Sequence, residues 1–306
     1  MDLMEKMVAL CKRRGFIYPG SEIYGGLQGF WDYGPLGVDL KNNIKREWWK
    51  TMVTKRDDVV GIGAAIIMNP QVWEASGHTS AFTDPLVECK NCHHRFKEDQ
   101  LADGKCPDCG GEVTPPKKFN LLTEVLLGAT EPKQLTYLRG EITQGVFVNF
   151  KNVVDSTRVE IPFGIAQLGK AFRNEITPGN FIFRSREFEQ MELEFFIKPD
   201  EAEANKWFNY WKKVRKDWYV DLGIKPENLR FREHADDERA HYARKAEDIE
   251  YNSPFGWKEF EGVHHRGDWD LSRHHLTYQD YTPWVIETSG GVDRALLFFL
   301  VDAYWE

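Results

Sequence analysis

Residues 187–196 read EFEQMELEFF, and this stretch decides the fold that the sequence predicts. Apolar and polar residues alternate along it, which is the period of two expected of a β-strand with one polar face. Upstream, residues 163–175 read FGIAQLGKAFRNE, and alternate residues of that stretch share a face. A Pro-Gly turn at 178–179 separates the two stretches. The sequence therefore predicts two long antiparallel strands joined by a loop.

Three further segments have the periodicity of helices. Apolar residues recur every fourth position over 36–52, directly after a proline that favours the first turn of a helix. The tryptophan-rich segment 207–222 has helical spacing and stops at Gly223. Residues 295–301 are apolar on nearly all sides, which predicts a buried helix. Because strands cluster instead of alternating regularly with helices, we predict an α+β fold with an antiparallel sheet.

The composition excludes several classes of protein. The chain has 306 residues, of which 42% are hydrophobic, enough to bury one large core or two smaller ones. The net charge of −8 provides no global attraction for polyanions, so any nucleic-acid contact must be local. The longest apolar run, 296–301, is far shorter than the roughly 20 residues of a membrane helix. Residues 1–12 lack the apolar stretch of a secretory signal, so we expect a cytoplasmic protein.

Cysteines form two C-x-x-C pairs with thirteen residues between them. The four are Cys89, Cys92, Cys106 and Cys109. Two such pairs supply four thiolates to one tetrahedral zinc ion and leave no open position, so we expect a structural zinc ribbon. The alternative is a set of reduced thiols without metal. The insertion that carries them, 87–116, is too short to form a core without metal, and Cys11 is expected to be a small buried residue.

The polar face of the predicted strand pair carries charged and aromatic side chains. Its members are Arg173, Glu175, Phe188, Gln190 and Glu192, with Arg184 and Arg186 near the connecting loop. Guanidinium groups pair with phosphate and an aromatic ring stacks on a base, so this face suits a nucleotide. The alternative is a solvated sheet face with cross-strand ion pairs.

Residues 285–294, VIETSGGVDR, run into the predicted buried helix. A glycine-flanked helix N-terminus offers free amides and a positive dipole end, and Arg294 adds a fixed charge for an anion. Histidine doublets at 264–265 and 274–275 have no matching carboxylate geometry for a metal. We expect these histidines at the surface or behind a site.

Taken together, these segments resemble the class II aminoacyl-tRNA synthetases, and closely the dimeric glycyl-tRNA synthetase family. Residues 21–37, SEIYGGLQGFWDYGPLG, are similar to the N-terminal signature of that family, and the helix after them to its dimer-forming motif 1. Residues 171–192, AFRNEITPGNFIFRSREFEQME, resemble motif 2, and residues 290–294, GGVDR, resemble motif 3. The resemblance covers essentially the whole chain outside the cysteine insertion.

The resemblance implies an antiparallel sheet flanked by helices and a ligase that works in two steps. Glycine and ATP give glycyl-adenylate and pyrophosphate, and the glycyl group then passes to the 3′ end of tRNA(Gly). By resemblance, Arg173 binds the α-phosphate and the glycine carboxylate, Arg294 holds the γ-phosphate with help from Arg184, and Phe188 stacks on adenine. Glu175 joins Arg173 and Arg294 as a catalytic residue. Magnesium ions are expected to neutralise the phosphates.

The resemblance also implies two sets of binding residues. The ATP site comprises Arg173, Asn174, Glu175, Phe183, Arg184, Phe188, Glu259, Phe260, Gly291, Asp293 and Arg294. The glycine site comprises Glu141, Gln190, Glu192, Glu287 and Ser289. Several carboxylates around one ammonium favour the cation and leave little room for a side chain, so larger amino acids are excluded by volume.

Domain organisation follows from the same resemblance. Residues 1–86 are expected to form the first part of the catalytic domain with motif 1, residues 87–116 the zinc ribbon, and residues 117–306 the part with motifs 2 and 3. The family continues past motif 3 into a domain that reads the anticodon, and we expect that domain to be absent from this chain. Glycine, ATP, tRNA(Gly) and a second copy of the chain are the expected partners, with no membrane.

Two other functions stay open at this point. One is a paralogue that passes an activated amino acid to an acceptor other than tRNA. The other is a catalytically silent scaffold whose zinc ribbon serves for interaction. Positions that depart from the family include His264-His265, in place of a small residue and a polar one, and Lys97, which stands about where relatives have a substrate-contacting arginine.

Overall fold

A computed structural model describes residues 2–240 and 242–305 of the chain, so Met1, His241 and Glu306 lie outside the described residues. The α-helices are α1 Leu3–Arg14, α2 Pro35–Trp49, α3 Pro70–Ala75, α4 His78–Ala81, α5 Thr143–Phe147, α6 Phe150–Thr157, α7 Glu201–Asp221, α8 Trp269–Arg273 and α9 Val292–Ala303. The strands are β1 Ile17–Pro19, β2 Trp31–Tyr33, β3 Val59–Ile62, β4 Thr83–Glu88, β5 Arg95–Lys97, β6 Lys117–Asn120, β7 Thr123–Leu127, β8 Gln134–Leu138, β9 Phe163–Phe172, β10 Glu187–Ile197, β11 Leu229–Glu233, β12 Lys245–Ser253, β13 Gly256–Gly267 and β14 Trp284–Gly291.

A seven-stranded sheet forms the centre of the molecule, with the strand order β11-β12-β13-β14-β10-β9-β3. All neighbours in it are antiparallel except β3 and β9. Strand β14 comes last of the seven along the chain, yet it lies in the middle and pairs with both β10 and β13. The predicted α+β fold with an antiparallel sheet flanked by helices is therefore confirmed, apart from one parallel edge strand.

Strands β9 and β10 are the predicted pair, and their register places the predicted polar residues on one face. Phe188 lies opposite Ala171, and Glu192 lies opposite Gln167. The strand pair and its alternation are thus confirmed. The predicted helices are also present as α2, α7 and α9, and α2 starts at Pro35.

The main hydrophobic core lies on the opposite face of the sheet, under α2, α7 and α9. The tryptophan stripe of α7 faces this core, since Trp211 and Trp218 are buried. A fully buried ion pair joins α7 to β13, with Arg215 Nε 2.6 Å and Nη2 2.9 Å from the carboxylate of Glu261. The hydroxyl of Tyr219 donates to the same carboxylate at 2.6 Å. These bonds stabilise a charge pair whose members would be costly to bury alone.

A second, smaller core supports the polar face. Phe147 and Phe150, from α5 and α6, pack on Phe163 and Phe196 of the sheet. The aromatic contacts hold α5 against β9 and β10. As a result the first turn of α5, with Thr143, lies close to the polar residues of β10.

A bulge in β13 changes the alternation of that strand. Ile249 of β12 pairs with Glu261 and Glu250 pairs with Glu259, so Phe260 is the extra residue. A bulge of this kind puts two successive side chains on one face. Phe260 and Glu261 therefore point into the main core, whereas Glu259 borders the polar face.

The glycine-rich segment 21–37 contains a short 3₁₀ turn at Glu22–Tyr24 and the strand β2, and its last residues begin α2. It packs on the loop between β9 and β10, where the Trp31 and Phe181 ring centroids lie 4.8 Å apart. Gly29 adopts a φ of +81°, and a Cβ atom there would lie 2.8 Å from Pro178 Cγ. Only glycine allows this close approach.

The predicted glycine-lined N-terminus of α9 is present, since Gly291 is the N-cap of the helix. Ser289, Gly290 and Gly291 are also the last residues of β14. Ser289 and Gly290 lie in register with both neighbouring strands, because β14 is central in the sheet. The strand passes directly into α9 at Val292.

Candidate active site

A cavity of about 400 Å³ opens on the polar face of the sheet, above β9, β10 and β14. Eleven of the predicted residues line it: Arg173, Glu175, Phe183, Arg184, Phe188, Gln190, Glu259, Ser289, Gly291, Asp293 and Arg294. They come from the ends of three strands, the loop after β9 and the start of α9. The polar sheet face is therefore the wall of a cavity and not a solvated surface with ion pairs alone.

Arg173 is held between two aromatic rings at one side of the cavity. Its guanidinium carbon lies 5.2 Å from the Phe82 ring centroid and 5.3 Å from that of Phe188. Its Nε donates to the carbonyl oxygen of Gly140 at 3.0 Å. These contacts fix a permanent positive charge at the cavity wall, where it can bind an anion.

Arg294 provides a second positive charge, from the first turn of α9. Its Nη1 lies 3.0 Å from Glu259 Oε1, and its Nε donates to the carbonyl oxygen of Phe183 at 3.3 Å. The guanidinium also lies over the Phe183 ring, 4.5 Å from its centroid. The two arginines and Arg184 make the cavity suited to a polyphosphate.

Asp293 lies beside Arg294, but its carboxylate is engaged inside the protein. It accepts hydrogen bonds from Lys41 Nζ at 2.7 Å, from the Tyr33 hydroxyl and from the backbone N–H of Glu189 at 2.6 Å. Asp293 thus joins the start of α9 to α2 and β10. Although it lines the cavity, it acts on the site by holding these elements together.

Two predicted nucleotide-site residues do not line the cavity that the structure describes. Phe260, the bulged residue of β13, is fully buried in the main core, with its ring centroid 3.9 Å from that of Tyr219. The backbone N–H of Asn174 bonds to the carbonyl oxygen of Leu121. The side chain of Phe260 therefore packs against α7, and the bulge is the reason.

The residues predicted to bind the substrate glycine surround one buried carboxyl group, that of Glu192. The side-chain amide of Gln190 and the hydroxyl of Ser289 each donate to Glu192 Oε1 at 2.6 Å. The hydroxyl of Thr143 donates to Glu192 Oε2, also at 2.6 Å. Since Gln190 and Ser289 also line the cavity, Glu192 lies just behind its wall.

Glu287 lies on the neighbouring strand β14 and is bound by cationic groups. Arg266 Nη1 is 3.1 Å from Glu287 Oε2, and His264 Nδ1 is 2.7 Å from the same oxygen. Arg266 also binds Asp270 through Nε and Nη2, at 2.7 and 2.9 Å. His264 thus lies behind the site, as predicted for the histidine doublets. The unusual pair at 264–265 places an imidazole against Glu287, which is one of the residues predicted to bind glycine.

Glu141, the third predicted carboxylate, is held by His78. The His78 Nε2 atom lies 3.3 Å from Glu141 Oε1, and His78 Nδ1 lies 2.8 Å from the Ser76 hydroxyl. Gln144 Nε2 bonds both to Glu141 and to Asp270, at 3.2 and 2.9 Å. A network of buried hydrogen bonds therefore connects Glu141 to the groups around Glu287.

The carboxyl groups of this cluster differ in their pKa values. Burial, together with the nearby Glu287 and Glu141 carboxylates, raises the pKa of Glu192 to about 8. Burial also opposes ionisation of Glu287 and Glu141, but Arg266 and His264 lower the pKa of the first, and His78 that of the second. Near neutral pH two carboxylates are thus charged while Glu192 holds a proton.

Several residues of this cluster had no predicted role in it. Glu194 is fully buried two positions after Glu192, and its alternation with Leu193 was a sufficient signal for its placement. His78, Thr143 and Arg266 also belong to the cluster, but no local pattern marks them. They reach the site through long-range packing of α4, α5 and β13.

The four predicted thiols come together at the tip of the insertion. The Cys89 and Cys109 Sγ atoms are 3.5 Å apart, those of Cys92 and Cys106 are 3.6 Å apart, and all four lie within 4.8 Å of one another. Tetrahedral zinc with Zn–S bonds of about 2.3 Å requires S–S separations of about 3.8 Å. Backbone N–H groups of residues 91 and 92 point to Cys89 Sγ at 3.4 and 3.5 Å. The set fits one tetrahedral metal ion.

The insertion also reaches the cavity through Lys97 at the end of β5. Lys97 Nζ lies 2.9 Å from Asp84 Oδ1, and both side chains line the cavity. Strand β4 carries Asp84 and pairs with β5, so the cysteine cluster and this part of the cavity wall share one small sheet.

Within residues 2–240 and 242–305, every helix is too short or too polar to cross a membrane.

Comparison with known proteins identifies the family. Residues 129–300 match the family model described as tRNA synthetase class II core domain (G, H, P, S and T). A glycine–tRNA ligase of Treponema denticola is 52% identical over 322 aligned positions, which cover 99% of this chain and 71% of the relative. Glycine–tRNA ligases of Caldanaerobacter subterraneus subsp. tengcongensis and Thermobifida fusca are 51% and 50% identical, covering 99% and 100% of this chain and 74% and 73% of theirs.

A solved structure shows the same fold. It is the prolyl-tRNA synthetase of Giardia lamblia in complex with prolyl-adenylate, with a TM-score of 0.64 at 15% identity. The match covers 89% of this chain and 47% of that chain. At this identity the likeness is one of fold, and it places the seven-stranded sheet among class II synthetase folds.

Proposed function

The chain belongs to the glycine–tRNA ligases, within the class II aminoacyl-tRNA synthetases, and on that premise we propose how its residues perform the reaction. Glycine and ATP react in the cavity on the sheet to give glycyl-adenylate and pyrophosphate. The glycyl group is then transferred to the 3′ end of tRNA(Gly).

The main support for the proposal is that the arginine-rich cavity adjoins the buried carboxyl cluster. Gln190 and Ser289 line the arginine-rich cavity and also bond to the buried carboxyl of Glu192. An amino acid at this junction has its ammonium at the carboxyl cluster and its carboxylate toward Arg173. The side chains of Glu192 and Glu287 are buried, so a small amino acid such as glycine fits beside them and a larger one is excluded by volume.

ATP binds in the cavity. Arg173 binds the α-phosphate and the carboxylate of glycine, and stabilises the charge that develops as the carboxylate attacks. Arg294 holds the γ-phosphate, in exchange for its contact with Glu259, and Arg184 assists from the loop. Phe188 stacks on adenine, with Glu175, Phe183 and Gly291 completing the nucleotide site. Magnesium ions neutralise the phosphates when they are bound.

We assign the cysteine cluster to structural zinc, held by Cys89, Cys92, Cys106 and Cys109. Four thiolates saturate the ion, so its contribution is to fold residues 87–116 around it. Such a pair of dithiols persists in the reducing cytoplasm, which we propose as the compartment. Residues 1–86 and 117–306 form the catalytic domain on either side of this ribbon.

We also propose a homodimer, formed along the face that includes the start of α2. Leu36 and Val38 there are 43% and 42% exposed, although both are apolar. Sedimentation equilibrium tests this assignment. A mass twice that of the chain supports it, and Leu36→Lys in combination with Val38→Lys should then give a monomer.

The decisive experiment is exchange of labelled pyrophosphate into ATP, run with glycine, alanine and serine in turn. Exchange with glycine alone supports the proposal, because the assay reports adenylate formation without tRNA. Exchange with none of the three, in zinc-replete protein that still binds ATP, overturns it. Aminoacylation of tRNA(Gly) in the same preparation then tests the second step.

A further inference from the structure

The carboxyl cluster contains more acidic groups than its cations can balance. Oxygens of Glu192, Glu194 and Glu287 lie within 4.8 Å of one another. Glu194 lies directly opposite Glu287 in the β10–β14 ladder, and Glu192 is the next residue on the same face. All three side chains are buried.

Their hydrogen-bond partners are unequal. Glu287 is bound by Arg266 and His264, whereas Glu192 receives only neutral donors. Neither oxygen of Glu194 has a hydrogen-bond partner in the part of the chain that the structure describes. A buried carboxylate without a donor is far less stable than the neutral acid.

Every other charged or titratable group that faces the cluster is already engaged. Arg266, from β13, binds Asp270 of α8 as well as Glu287, and its guanidinium lies over the Tyr242 ring. His78, the first residue of α4, contacts Glu141, and His264 contacts Glu287. Arg139, which lies close enough to Glu192 for the two charges to interact, donates to the backbone carbonyl oxygens of Lys170 and Ala64. In the described part of the chain, no cation forms an ion pair with Glu192 or Glu194.

We propose that arrival of the glycine ammonium releases one proton from Glu192, while Glu194 stays protonated throughout. This inference rests on the proposed function and specifies how its amino-acid site works. The O–H bond of the Glu192 carboxyl breaks and the proton passes to solvent. The resulting carboxylate accepts an N–H bond from the ammonium, so the net charge of the buried cluster is unchanged by binding.

The pKa values of the two carboxyl groups agree with proton release from Glu192 alone. The pKa of Glu192 is raised to about 8, and that of Glu194 is raised well above its ordinary value by burial and by Glu287. At about pH 7 the cluster must give up roughly nine-tenths of a proton for each ammonium bound. Below pH 7 the affinity for glycine should fall about tenfold per pH unit.

Isothermal titration calorimetry in buffers of different ionisation enthalpy measures this proton. The probe is glycyl-sulfamoyl adenosine, an uncleavable mimic of the adenylate that carries the ammonium. The matched control ligand is sulfamoyl adenosine, which lacks the glycyl group. At about pH 7 we expect roughly 0.9 proton released with the first compound and none with the second.

The variant Glu192→Gln identifies the source of the proton. It should bind the control ligand as the wild type does, and bind the glycyl compound more weakly without proton release. Proton release that persists in Glu192→Gln overturns the inference, and so does tight binding of the glycyl compound to wild type without release. If the wild type binds neither compound, the proposed function itself fails.

Discussion

Lys41 Nζ lies 2.7 Å from Asp293 Oδ1, so a buried ion pair joins two residues that are 252 positions apart. Lys41 belongs to α2, and Asp293 belongs to the first turn of α9, directly before Arg294. The same carboxylate accepts a hydrogen bond from the backbone of Glu189 in β10. One aspartate therefore fixes the position of a cavity arginine relative to the sheet.

We expect Lys41→Met to lower the free energy of unfolding by about 3–5 kcal/mol, because it leaves the Asp293 carboxylate buried without its cation. Pyrophosphate exchange should also fall, since Arg294 loses its fixed position. The control is Lys45→Met, which removes a partly exposed contact with Glu189 and should cost less than about 1 kcal/mol. Urea unfolding of both variants measures the difference, and equal losses would contradict the role given to Lys41.

Glu192→Ala should raise the KM for glycine about 100-fold while the KM for ATP changes less than about twofold. The reason is that the variant removes the acceptor for the ammonium but leaves the arginine-lined cavity in place. Glu187→Ala, on the same strand but paired with Lys170 at the surface, is the matched control. Steady-state exchange kinetics give both constants, and an unchanged KM for glycine in Glu192→Ala would refute the assignment.

Glu194→Gln should stabilise the protein at high pH and leave its stability unchanged at low pH. The raised pKa of Glu194 means that the folded state keeps a proton that the unfolded state loses above its ordinary pKa, so wild-type stability from this group falls as pH rises. The amide does not titrate. The gain should grow by up to about 1.4 kcal/mol per pH unit as the pH rises above the ordinary pKa of glutamate. Thermal unfolding across this range tests it, and a gain independent of pH would exclude a neutral Glu194.

Cys106→Ser should lose zinc during dialysis against a chelator, from about one ion per chain in the untreated wild type. Exchange activity should fall with it, because Lys97 and Asp84 reach the cavity from the same small sheet. Cys11→Ala is the control, since Cys11 is buried in α1 and distant in sequence from the ribbon. Metal analysis and limited proteolysis of residues 87–116 provide the readouts. Full zinc retention by Cys106→Ser would count against the four-thiolate site.

The floor of the site was predictable because its residues follow a local rule. Phe188, Gln190 and Glu192 alternate along one strand, and strand alternation alone places them on one face. The same rule extends to Glu194. Arg173 lies directly after the last residue of β9, and the alternation of that strand places it on the same face.

Other parts of the site depend on contacts that no local pattern encodes. His78 meets Glu141 only after α4 has packed beside the sheet, and Arg266 meets Glu287 across two strands. Phe260, which was assigned to the nucleotide site by resemblance, lies in the core because the bulge in β13 rotates its side chain there. Gly291 was correctly expected directly before a helix, but no local pattern showed that Ser289 and Gly290 also pair with both neighbouring strands.

The central position of β14 affects how the chain folds during its synthesis. Until β14 has been synthesised, β11–β13 and β3, β9 and β10 are two half-sheets, each with an open edge at β13 or β10. Open edges of this kind pair readily with other chains. The nascent polypeptide therefore has its greatest risk of aggregation just before residues 284–291 emerge, and the same event that removes this risk brings Glu287 and Ser289 to the carboxyl cluster.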